Sequence, residues 1–461
     1  MKSNGSVQKQ GLSCYLLSLG CDKNLVDAEK MLGLLLSDGC YFTDRPEEAE
    51  LIIVNTCCFI GDAKEESVNA ILEMAEYKKQ GKLKALIVTG CMAERYKEEI
   101  LETLPEVDGV VGTNSWQNIV SLVHDITGLG ERKMCFDPIS EDRFSEQTGE
   151  KRIVTTGGHY AYLKIAEGCN KRCTYCIIPS LRGSYRSVPE EELLAEAERL
   201  AENGIRELVL VAQETTLYGV DLYGEKRLPR LLEKLSGVEG IQWIRILYCY
   251  PEEITDELID AIRSLPKVCH YLDIPIQHAS DHILRRMARR TTRAEITERI
   301  GKLRKEIPDI CLRTTMISGF PGETDADHQI LLAFIREMEF DRLGDFAYSR
   351  EEGTKAAAYS HQVSKKQKEL RREEVMLLQQ KIAFAHAKKQ IGRRLQVIVE
   401  GRVTDAGGEG NVYAARTYMD APGVDGYLYV NTGSREFMTG DMPYVTVTAA
   451  HEYDLIGELC E

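Results

Sequence analysis

Short apolar runs alternate with amphipathic segments of helical length along most of this chain, and this alternation restricts the fold more than any other feature. Between residues 12 and 126 the clearest runs are LSCYLLSLG, ELIIVNT and KALIVTG. Such a pattern is typical of βα units around a parallel sheet. One cysteine follows each run, namely Cys21, Cys57 and Cys91. Because ligand sites in open α/β sheets lie outside the carboxyl ends of the strands, we expect these cysteines to converge there.

A second series of βα units is predicted over residues 159–390, after a charged, Gly-containing segment at 127–158 that we interpret as a linker. Six runs predict the parallel strands of a partial or full βα barrel: YAYLKIA, ELVLVAQ, WIRILYCY, YLDIPIQ, CLRTTMIS and FDRLGDFAY. A charged stretch from about Ser364 to Gln390 predicts one long helix leaving the barrel. Residues 391–461 alternate short strands with Gly-rich turns, which predicts a small β-barrel. The expected fold is α/β with three domains, at 12–126, 159–390 and 391–461.

Length and composition are typical of a globular protein of several domains, since 461 residues exceed what one hydrophobic core usually serves. No apolar run approaches the roughly 20 residues that span a bilayer, and the first ten residues lack the apolar stretch of a secretory signal. We therefore expect a cytoplasmic location. In that reducing compartment, 14 cysteines indicate metal binding or redox chemistry rather than disulfides. The net charge of -15 argues against general affinity for a nucleic-acid backbone and favours a basic partner.

The strongest local signal is the spacing Cys169-x3-Cys173-x2-Cys176 in EGCNKRCTYCIIP, directly after the first barrel strand. Thiolates at this spacing on a loop can ligate three irons of a four-iron cluster and leave the fourth iron open for a small molecule. A structural zinc site is one alternative, but it would need a fourth Cys or His, and none follows within the next 70 residues. Three core cysteines on one helical face are a second alternative, which the polar residues between them disfavour.

Cys21, Cys57 and Cys91 form a weaker candidate set, because only the fold would bring them together. Cysteine is often buried as simple core packing, and that alternative stays open for each of the three. Their equivalent positions at three strand ends, in GCDKN, NTCCF and TGCMA, favour a shared cluster. The remaining cysteines show no pattern, and we interpret them as packing or exposed thiols: Cys14, Cys40, Cys58, Cys135, Cys249, Cys269, Cys311 and Cys460.

These motifs resemble a known family over nearly the whole chain. The loop with Cys169, Cys173 and Cys176 is similar to that of the radical S-adenosylmethionine (SAM) superfamily. The N-terminal cysteines and a C-terminal β-barrel of the TRAM type complete the resemblance to the methylthiotransferase family. Within that family, seven segments of this chain resemble the RimO branch: SLGCDKNLVDAE, VNTCCFI, VTGCMAERY, AEGCNKRCTYCIIPSLRG, YLDIPIQHAS, SGFPGET and DAPGVDGYLYV. Two residues depart from that pattern, because Asp22 stands where proline is usual and Cys58 where a small residue is usual.

The resemblance implies an enzyme that inserts a methylthio group at the β-carbon of an aspartate in ribosomal protein twelve of the small subunit. It implies two 4Fe-4S clusters and SAM as cosubstrate. Cys169, Cys173 and Cys176 would hold the cluster that cleaves SAM, and the three N-terminal cysteines the cluster that carries the sulfur. It further implies an electron donor such as flavodoxin or ferredoxin and no membrane partner. A tRNA methylthiotransferase of the MiaB type is the alternative; a mere iron-sulfur carrier would not need a complete barrel.

Other polar and charged residues give weaker indications. Polar residues near predicted strand ends are candidate SAM contacts, with hydrogen bonding at the barrel mouth as an equal alternative: Gln213, Glu214, Gln277 and Arg313. A run of arginines among acids is more typical of a solvated helix face than of an RNA-binding patch: Arg285, Arg286, Arg289, Arg290 and Arg293. From Leu395 to Glu461 there are 11 acidic and three basic residues, a net charge of -8. Such a segment would repel RNA and attract a basic ribosomal protein, unless its acidity only keeps the domain soluble.

Overall fold

A computed structural model describes residues 11–138, 152–404 and 410–460 of the chain. The chain divides into two compact units. The first comprises Met1–Thr155, Gly168–Asn170 and Cys176–Ser184, and the second comprises Thr156–Glu167, Lys171–Tyr175 and Tyr185–Glu461. The loop with Cys169, Cys173 and Cys176 therefore contributes to both units. In the described part of the chain, no helix combines the length and the apolar character needed to cross a membrane.

The first unit contains the predicted parallel sheet. Its six strands follow the order β2-β1-β3-β4-β5-β6, and all neighbours are parallel. Its elements are β1 (Ser13–Ser18), α1 (Asp22–Ser37), β2 (Tyr41–Phe42), β3 (Leu51–Thr56), α2 (Gly61–Ala75), β4 (Ala85–Gly90), α3 (Cys91–Thr103), β5 (Gly109–Val111), α4 (Ile119–Leu129) and β6 (Lys133–Cys135), with α5 (Ile178–Arg182) added from the later loop. Strands β3 and β4 are buried at every residue, which explains their continuous apolar sequence.

The segment 127–158, predicted as a linker, contains the end of α4 and the edge strand β6. β6 pairs with β5 through its backbone, so at least this part of the segment belongs to the sheet of the first unit. Residues 139–151 of the segment lie outside the described residues. The domain limits given above remain predictions.

The second unit contains a second parallel sheet, formed by the six strands predicted from the sequence. Their order, β14-β13-β12-β11-β10-β7, follows the chain, as in a partial βα barrel. The elements are β7 (Tyr160–Lys164), β8 (Ala166–Glu167), β9 (Arg186–Ser187), α6 (Glu190–Glu202), β10 (Glu207–Val211), α7 (Val220–Tyr223), α8 (Leu228–Ser236), β11 (Trp243–Ile246), α9 (Asp256–Ser264), β12 (Val268–Asp273), α10 (Asp281–Arg286), α11 (Arg293–Glu306), β13 (Cys311–Ser318), α12 (Asp325–Met338), β14 (Arg342–Ala347) and the long helix α13 (Lys365–Lys389).

A closed five-stranded barrel completes the second unit, as predicted for the C-terminal segment. Its strands are β15 (Arg394–Arg402), β16 (Val412–Thr417), β17 (Leu428–Asn431), β18 (Tyr444–His451) and β19 (Asp454–Leu459). One hydrophobic core contains residues of both the parallel sheet, such as Trp243 and Tyr271, and the small barrel, such as Val397 and Leu428. The two parts of the second unit therefore share a core.

Candidate metal centres

Three cysteines lie at the carboxyl ends of three adjacent strands of the first unit. β1, β3 and β4 are neighbours in the sheet, and the register of β3 and β4 pairs Asn55 with Thr89. Cys57 and Cys91 each stand two residues beyond that pair, while Cys21 stands three residues beyond the end of β1. Neighbouring strands are about 4.8 Å apart. The fold therefore brings the three cysteines to one edge of the sheet, as the sequence predicts.

Burial and mutual charge set the acidity of these thiols. Burial raises the pKa of Cys91 to about 12, the Arg182 guanidinium acts against this rise, and Cys21 and Cys57 add to it. The pKa of Cys57 is also raised, first by burial, with a further rise from Cys21 and an opposing effect of Arg182. Cys21 is thus close enough to Cys57 and to Cys91 to disfavour their ionised forms. A cation bound among them would relieve that repulsion.

Glycines before two of the cysteines let the chain turn from strand to helix. Gly20 has a φ of 90°, and a side chain there would place its Cβ 2.7 Å from the Cβ of Cys57. Gly90 has a φ of 92°, and a Cβ there would lie 2.5 Å from the Asn55 side-chain oxygen. Only glycine adopts this backbone in so little space. The following cysteines, Cys21 and Cys91, then stand at the N-termini of α1 and α3.

The two residues that depart from the family pattern, Asp22 and Cys58, both have defined surroundings in the first unit. The carboxylate of Asp22 forms a 2.8 Å ion pair with the neighbouring Lys23, and both side chains are nearly buried. Cys58 is fully buried in the hydrophobic core beside Val54 and Val88. Cys58 therefore belongs to the core packing of the sheet.

The second candidate set lies on the loop between β8 and α5. Cys169 and Cys176 belong to the first unit, and Cys173 belongs to the second. In the first unit, the buried Cys169 donates its backbone N–H to the Gly183 carbonyl at 3.1 Å, and Cys176 is half-buried. In the second unit, the sulfur of the buried Cys173 lies 3.7 Å from the Tyr250 hydroxyl. The turn before Cys169 requires Gly168, where a Cβ would lie 2.1 Å from the Ser184 carbonyl oxygen.

The donor chemistry of both sets fits iron-sulfur clusters. None of the 14 cysteines forms a disulfide, so the thiol groups of all six candidates are retained. Thiolates are the usual ligands of such clusters, and three of them leave one iron open. In the described ranges, no group of three or more His, Cys, Asp or Glu side chains is arranged to hold a single metal ion. The assignment of the six cysteines as ligands remains a proposal.

Three family models and many curated relatives match the chain. The models describe the radical SAM superfamily over residues 163–335, Uncharacterized protein family UPF0004 over residues 13–112, and the TRAM domain over residues 391–460. A protein from Lachnoclostridium phytofermentans named "Ribosomal protein uS12 methylthiotransferase RimO" is 57% identical over 97% of this chain and 99% of its own length. A protein of the same name from Clostridioides difficile is 47% identical over 97% and 99% of the two chains.

The chain belongs to the RimO branch of the radical SAM methylthiotransferases. It is therefore an enzyme, and membership of the radical SAM superfamily implies a 4Fe-4S cluster and SAM. Among solved structures, the radical SAM methyltransferase TsrM from Kitasatospora setae has a TM-score of 0.54 at 16% identity and covers 72% of each chain. That likeness concerns the fold alone.

Two of the candidate SAM contacts follow β10 at its carboxyl end, the edge of the sheet at which sites of βα barrels generally lie. Gln213 donates a 2.6 Å hydrogen bond from its side chain to the Glu167 carboxylate. Glu214 is fully buried, and burial raises its pKa to about 8 against the opposing hydrogen bond from Thr216. Its second carboxylate oxygen lacks a hydrogen-bond partner in the described part of the chain. Both residues remain candidate contacts.

The other two candidates stand elsewhere on the sheet. Gln277 has a φ of 76°, and its backbone N–H donates to the Thr315 carbonyl at 2.8 Å in an isolated bridge to β13. Arg313 is only the third residue of β13 and not near its carboxyl end. Its guanidinium lies 2.9 Å from Asp273 and 3.6 Å from Asp425 of the small barrel. Its role as a SAM contact remains a prediction that this placement does not favour.

The arginine run is not one solvated helix face, because Arg289 is buried. It follows the end of α10, its guanidinium stacks 4.0 Å from the Tyr250 ring, and it donates a 3.0 Å hydrogen bond to the Pro275 carbonyl. Arg285 and Arg290 are exposed, as expected. Spacing did not distinguish Arg289, because the helix ends within the run and the following turn redirects the chain.

Arg182 is a second functional candidate that the sequence did not indicate. It ends α5, six residues after Cys176, and its guanidinium is buried in the first unit beside Cys91. The sequence did contain one indication. Arg182 is the only charged residue of the apolar segment IIPSLRG that follows the cysteine loop. That signal became interpretable only with the fold.

Proposed function

We propose that this enzyme inserts a methylthio group at the β-carbon of an aspartate in small-subunit ribosomal protein uS12. The proposal includes two 4Fe-4S clusters, one on Cys21, Cys57 and Cys91 and one on Cys169, Cys173 and Cys176. The observation that carries it is the placement of three free thiols at the ends of three adjacent strands, in a chain that also has the radical SAM cysteine loop. The curated relatives that share its full length are named for action on uS12.

The residues of the chain bind and orient the reactants. When bound, the clusters supply the electron that cleaves SAM to a carbon-centred radical and the sulfur for transfer. Cys173 is buried and its sulfur lies beside the hydroxyl of the half-buried Tyr250, which limits the access of water to this ligand, as a reactive radical requires. Glu214 and Gln213, with Gln277, provide hydrogen-bonding groups for the polar parts of SAM. We propose a flavodoxin or ferredoxin as electron donor and, because ribosomes are the target, a cytoplasmic location.

The acidic surface of the small barrel supports a basic protein as substrate. Asp420 and Asp425 do not contribute to that surface, because they are buried against Arg342 and Arg313. Four other carboxylates of the barrel are exposed: Glu436, Asp441, Glu452 and Glu458. Exposed charge of one sign steers partners of the opposite sign and repels phosphate. The barrel therefore favours a basic ribosomal protein over tRNA, which a MiaB-type enzyme would modify.

The decisive experiment offers both substrates to the full enzyme. Anaerobically reconstituted protein, dithionite and SAM are incubated separately with purified uS12 and with bulk tRNA, and the product masses are read. We expect one methylthio group on a uS12 peptide, with fragmentation placing it on an aspartate, and none on nucleosides from tRNA. A uS12 variant with that aspartate replaced by asparagine is the matched control. A methylthio mass on tRNA with none on uS12 would overturn the proposed substrate.

A further inference from the structure

A buried arginine lies against the N-terminal cysteine set of the first unit. The guanidinium of Arg182 is 3.6 Å from the Cys91 sulfur, and its side chain is only 2% exposed. It is held from the other side by Asp27, at 2.7 Å, and by the side-chain oxygen of Asn24. A buried charge of this kind is costly unless it is paired, so its position next to a thiol needs a reason.

Asn24 holds this arrangement in one orientation. Its amide nitrogen donates to the Thr56 carbonyl at 3.0 Å, which directs its oxygen to Arg182. Its backbone carbonyl accepts a 2.7 Å hydrogen bond from the Asn55 side chain. The Cys91 sulfur lies 3.7 Å from the same Asn24 oxygen. The cysteine, the amide and the guanidinium are therefore fixed by the strand ends that carry the cysteines.

We propose that Arg182 is a positioning residue that sets the reduction potential of the cluster on Cys21, Cys57 and Cys91, and that Asp27 opposes it. A guanidinium donating to a ligand sulfur stabilises the more negative, reduced cluster, and hydrogen bonds to sulfur and nearby charge are established determinants of cluster potentials. Asp27 carries the opposite charge at 2.7 Å from the guanidinium and limits this effect. The inference rests on the proposed N-terminal cluster.

The test uses the full chain with Cys169, Cys173 and Cys176 replaced by alanine, so that only the N-terminal cluster is present. After anaerobic reconstitution, iron is quantified and the midpoint potential is measured by a redox titration followed by electron paramagnetic resonance. In this background, Arg182→Met should lower the potential, Arg182→Lys should stay closer to the parent, and Asp27→Asn should raise it. Shifts of the potential in opposite directions for Arg182→Met and Asp27→Asn would indicate an electrostatic effect. An effect of loosened packing would not depend on the sign of the charge removed.

A matched control is Arg152→Met, which removes a buried arginine paired at 2.5 Å with Glu29 on the same helix as Asp27. It should shift the potential less than Arg182→Met. If the Arg182→Met protein binds no iron, the midpoint potential of the Asp27→Asn protein tests the proposal, because that variant retains the guanidinium. An unchanged potential in the iron-loaded Asp27→Asn protein, or equal shifts in Arg152→Met and Arg182→Met, would overturn the role of Arg182. Absence of iron from the parent background would instead overturn the proposed N-terminal cluster itself.

Discussion

Glu214 is a buried carboxyl whose protonation links pH to the stability of the second unit. Burial raises its pKa to about 8 from an ordinary value of 4.5, while Thr216 and Lys171 act against the rise. The folded protein therefore retains a proton that the unfolded chain releases above about pH 4.5. The stability that comes from burying the neutral acid is complete below pH 4.5. It is lost as the pH rises through 8, a change on the order of 3–5 kcal/mol.

We expect Glu214→Gln to remove this dependence. The amide keeps an oxygen that accepts from Thr216 and has no proton to lose, so the variant should be stabilised relative to the parent more at pH 8 than at pH 5. Thermal unfolding of anaerobically purified protein at the two pH values measures the difference. Glu233→Gln, at an exposed position of α8, is the control. Equal shifts at both pH values would show that Glu214 is not protonated in the folded protein.

Replacement of either cysteine set should remove about half of the iron. Alanine at Cys21, Cys57 and Cys91 leaves the other three ligands in place, and the converse holds for the second set. Iron and sulfide analysis of the reconstituted proteins measures the loss. Cys14→Ala is the control, because Cys14 is a fully buried core thiol of β1 and should leave the iron content unchanged. Full iron in either triple variant would mean that the ligands have been wrongly assigned.

At the level of single residues, the sequence predicted the six cysteines as cluster ligands, which remains a prediction, and it did not indicate the side chains that surround them. The loop set was visible from spacing alone, and the N-terminal set from the three strand ends. Arg182 and Arg289 were not identified, because each acts on a residue far away in sequence. Arg182 contacts Cys91, and Arg289 contacts Tyr250. Patterns within a segment do not report such contacts, since they depend on how the segments pack.

The segment DAPGVDG, residues 420–426, is one of those that resemble the RimO branch, and it joins the small barrel to the parallel sheet. Asp425 accepts a 2.8 Å hydrogen bond from the Tyr271 hydroxyl of β12 and a 2.9 Å hydrogen bond from the Ala421 N–H. It also lies 3.6 Å from the Arg313 guanidinium of β13. The turn after β16 is therefore fixed to two strands of the sheet by one carboxylate.

Asp425→Asn should destabilise the second unit by about 2–4 kcal/mol, because it leaves the partly buried Arg313 with one charged partner fewer and weakens the hydrogen bonds of a buried carboxylate. Urea unfolding followed by circular dichroism measures this loss. Glu436→Gln removes a carboxylate from the same barrel at an exposed position and should change the stability by less than about 0.5 kcal/mol. Comparable stabilities of the two variants would show that the DAPGVDG element does not fasten the barrel.

Among the secondary-structure elements, long ones were predictable and short ones were not. The helix predicted from Ser364 to Gln390 is α13, Lys365–Lys389, and Ser364 caps it by accepting the N–H of Gln367 at 3.3 Å. Its limits are set by local signals, a cap and a charged periodic stretch. The two-residue strands β8 and β9, and β6 within the predicted linker, exist because a distant backbone pairs with them. No periodicity within three residues can indicate that pairing.

At the scale of the whole molecule, the sequence predicted three domains but not the core shared by two of them. Hydrophobic side chains of β10, β11 and β12 pack with those of β15 and β17 in one cluster. The apolar pattern of each strand was consistent with a domain that buries the apolar face of its own sheet. Nothing in that pattern indicated that the small barrel would cover part of the parallel sheet. A small barrel of about 70 residues has limited apolar area of its own, so sharing a core adds to its stability. The two parts should therefore unfold together.

A buried charge network crosses the same boundary, with Glu207 at its centre. Its carboxylate lies 2.7 Å from the Arg245 guanidinium of β11 and 2.7 Å from the Arg416 guanidinium of β16. Burial alone would raise the pKa of Glu207, but the two arginines outweigh it and hold the pKa below its ordinary value of 4.5. A carboxyl with a lowered pKa contributes stability that is complete above its unfolded pKa and is lost as the pH falls through the folded one.

We expect Glu207→Gln to cost about 3–5 kcal/mol near pH 7, because two buried arginines lose their shared counter-charge. The loss should stay constant down to about pH 5 and shrink below pH 4.5, because the unfolded parent chain then takes up a proton at this carboxyl that the folded protein, with its lowered pKa, does not yet bind. A Trp116→Phe background leaves Trp243 of β11 as the single tryptophan, so fluorescence during urea unfolding reports on the shared core. Coincidence of that fluorescence transition with the loss of circular dichroism tests the common unfolding. A small barrel that unfolds separately, or a Glu207→Gln loss that does not change with pH, would contradict the coupling of the two parts through this network.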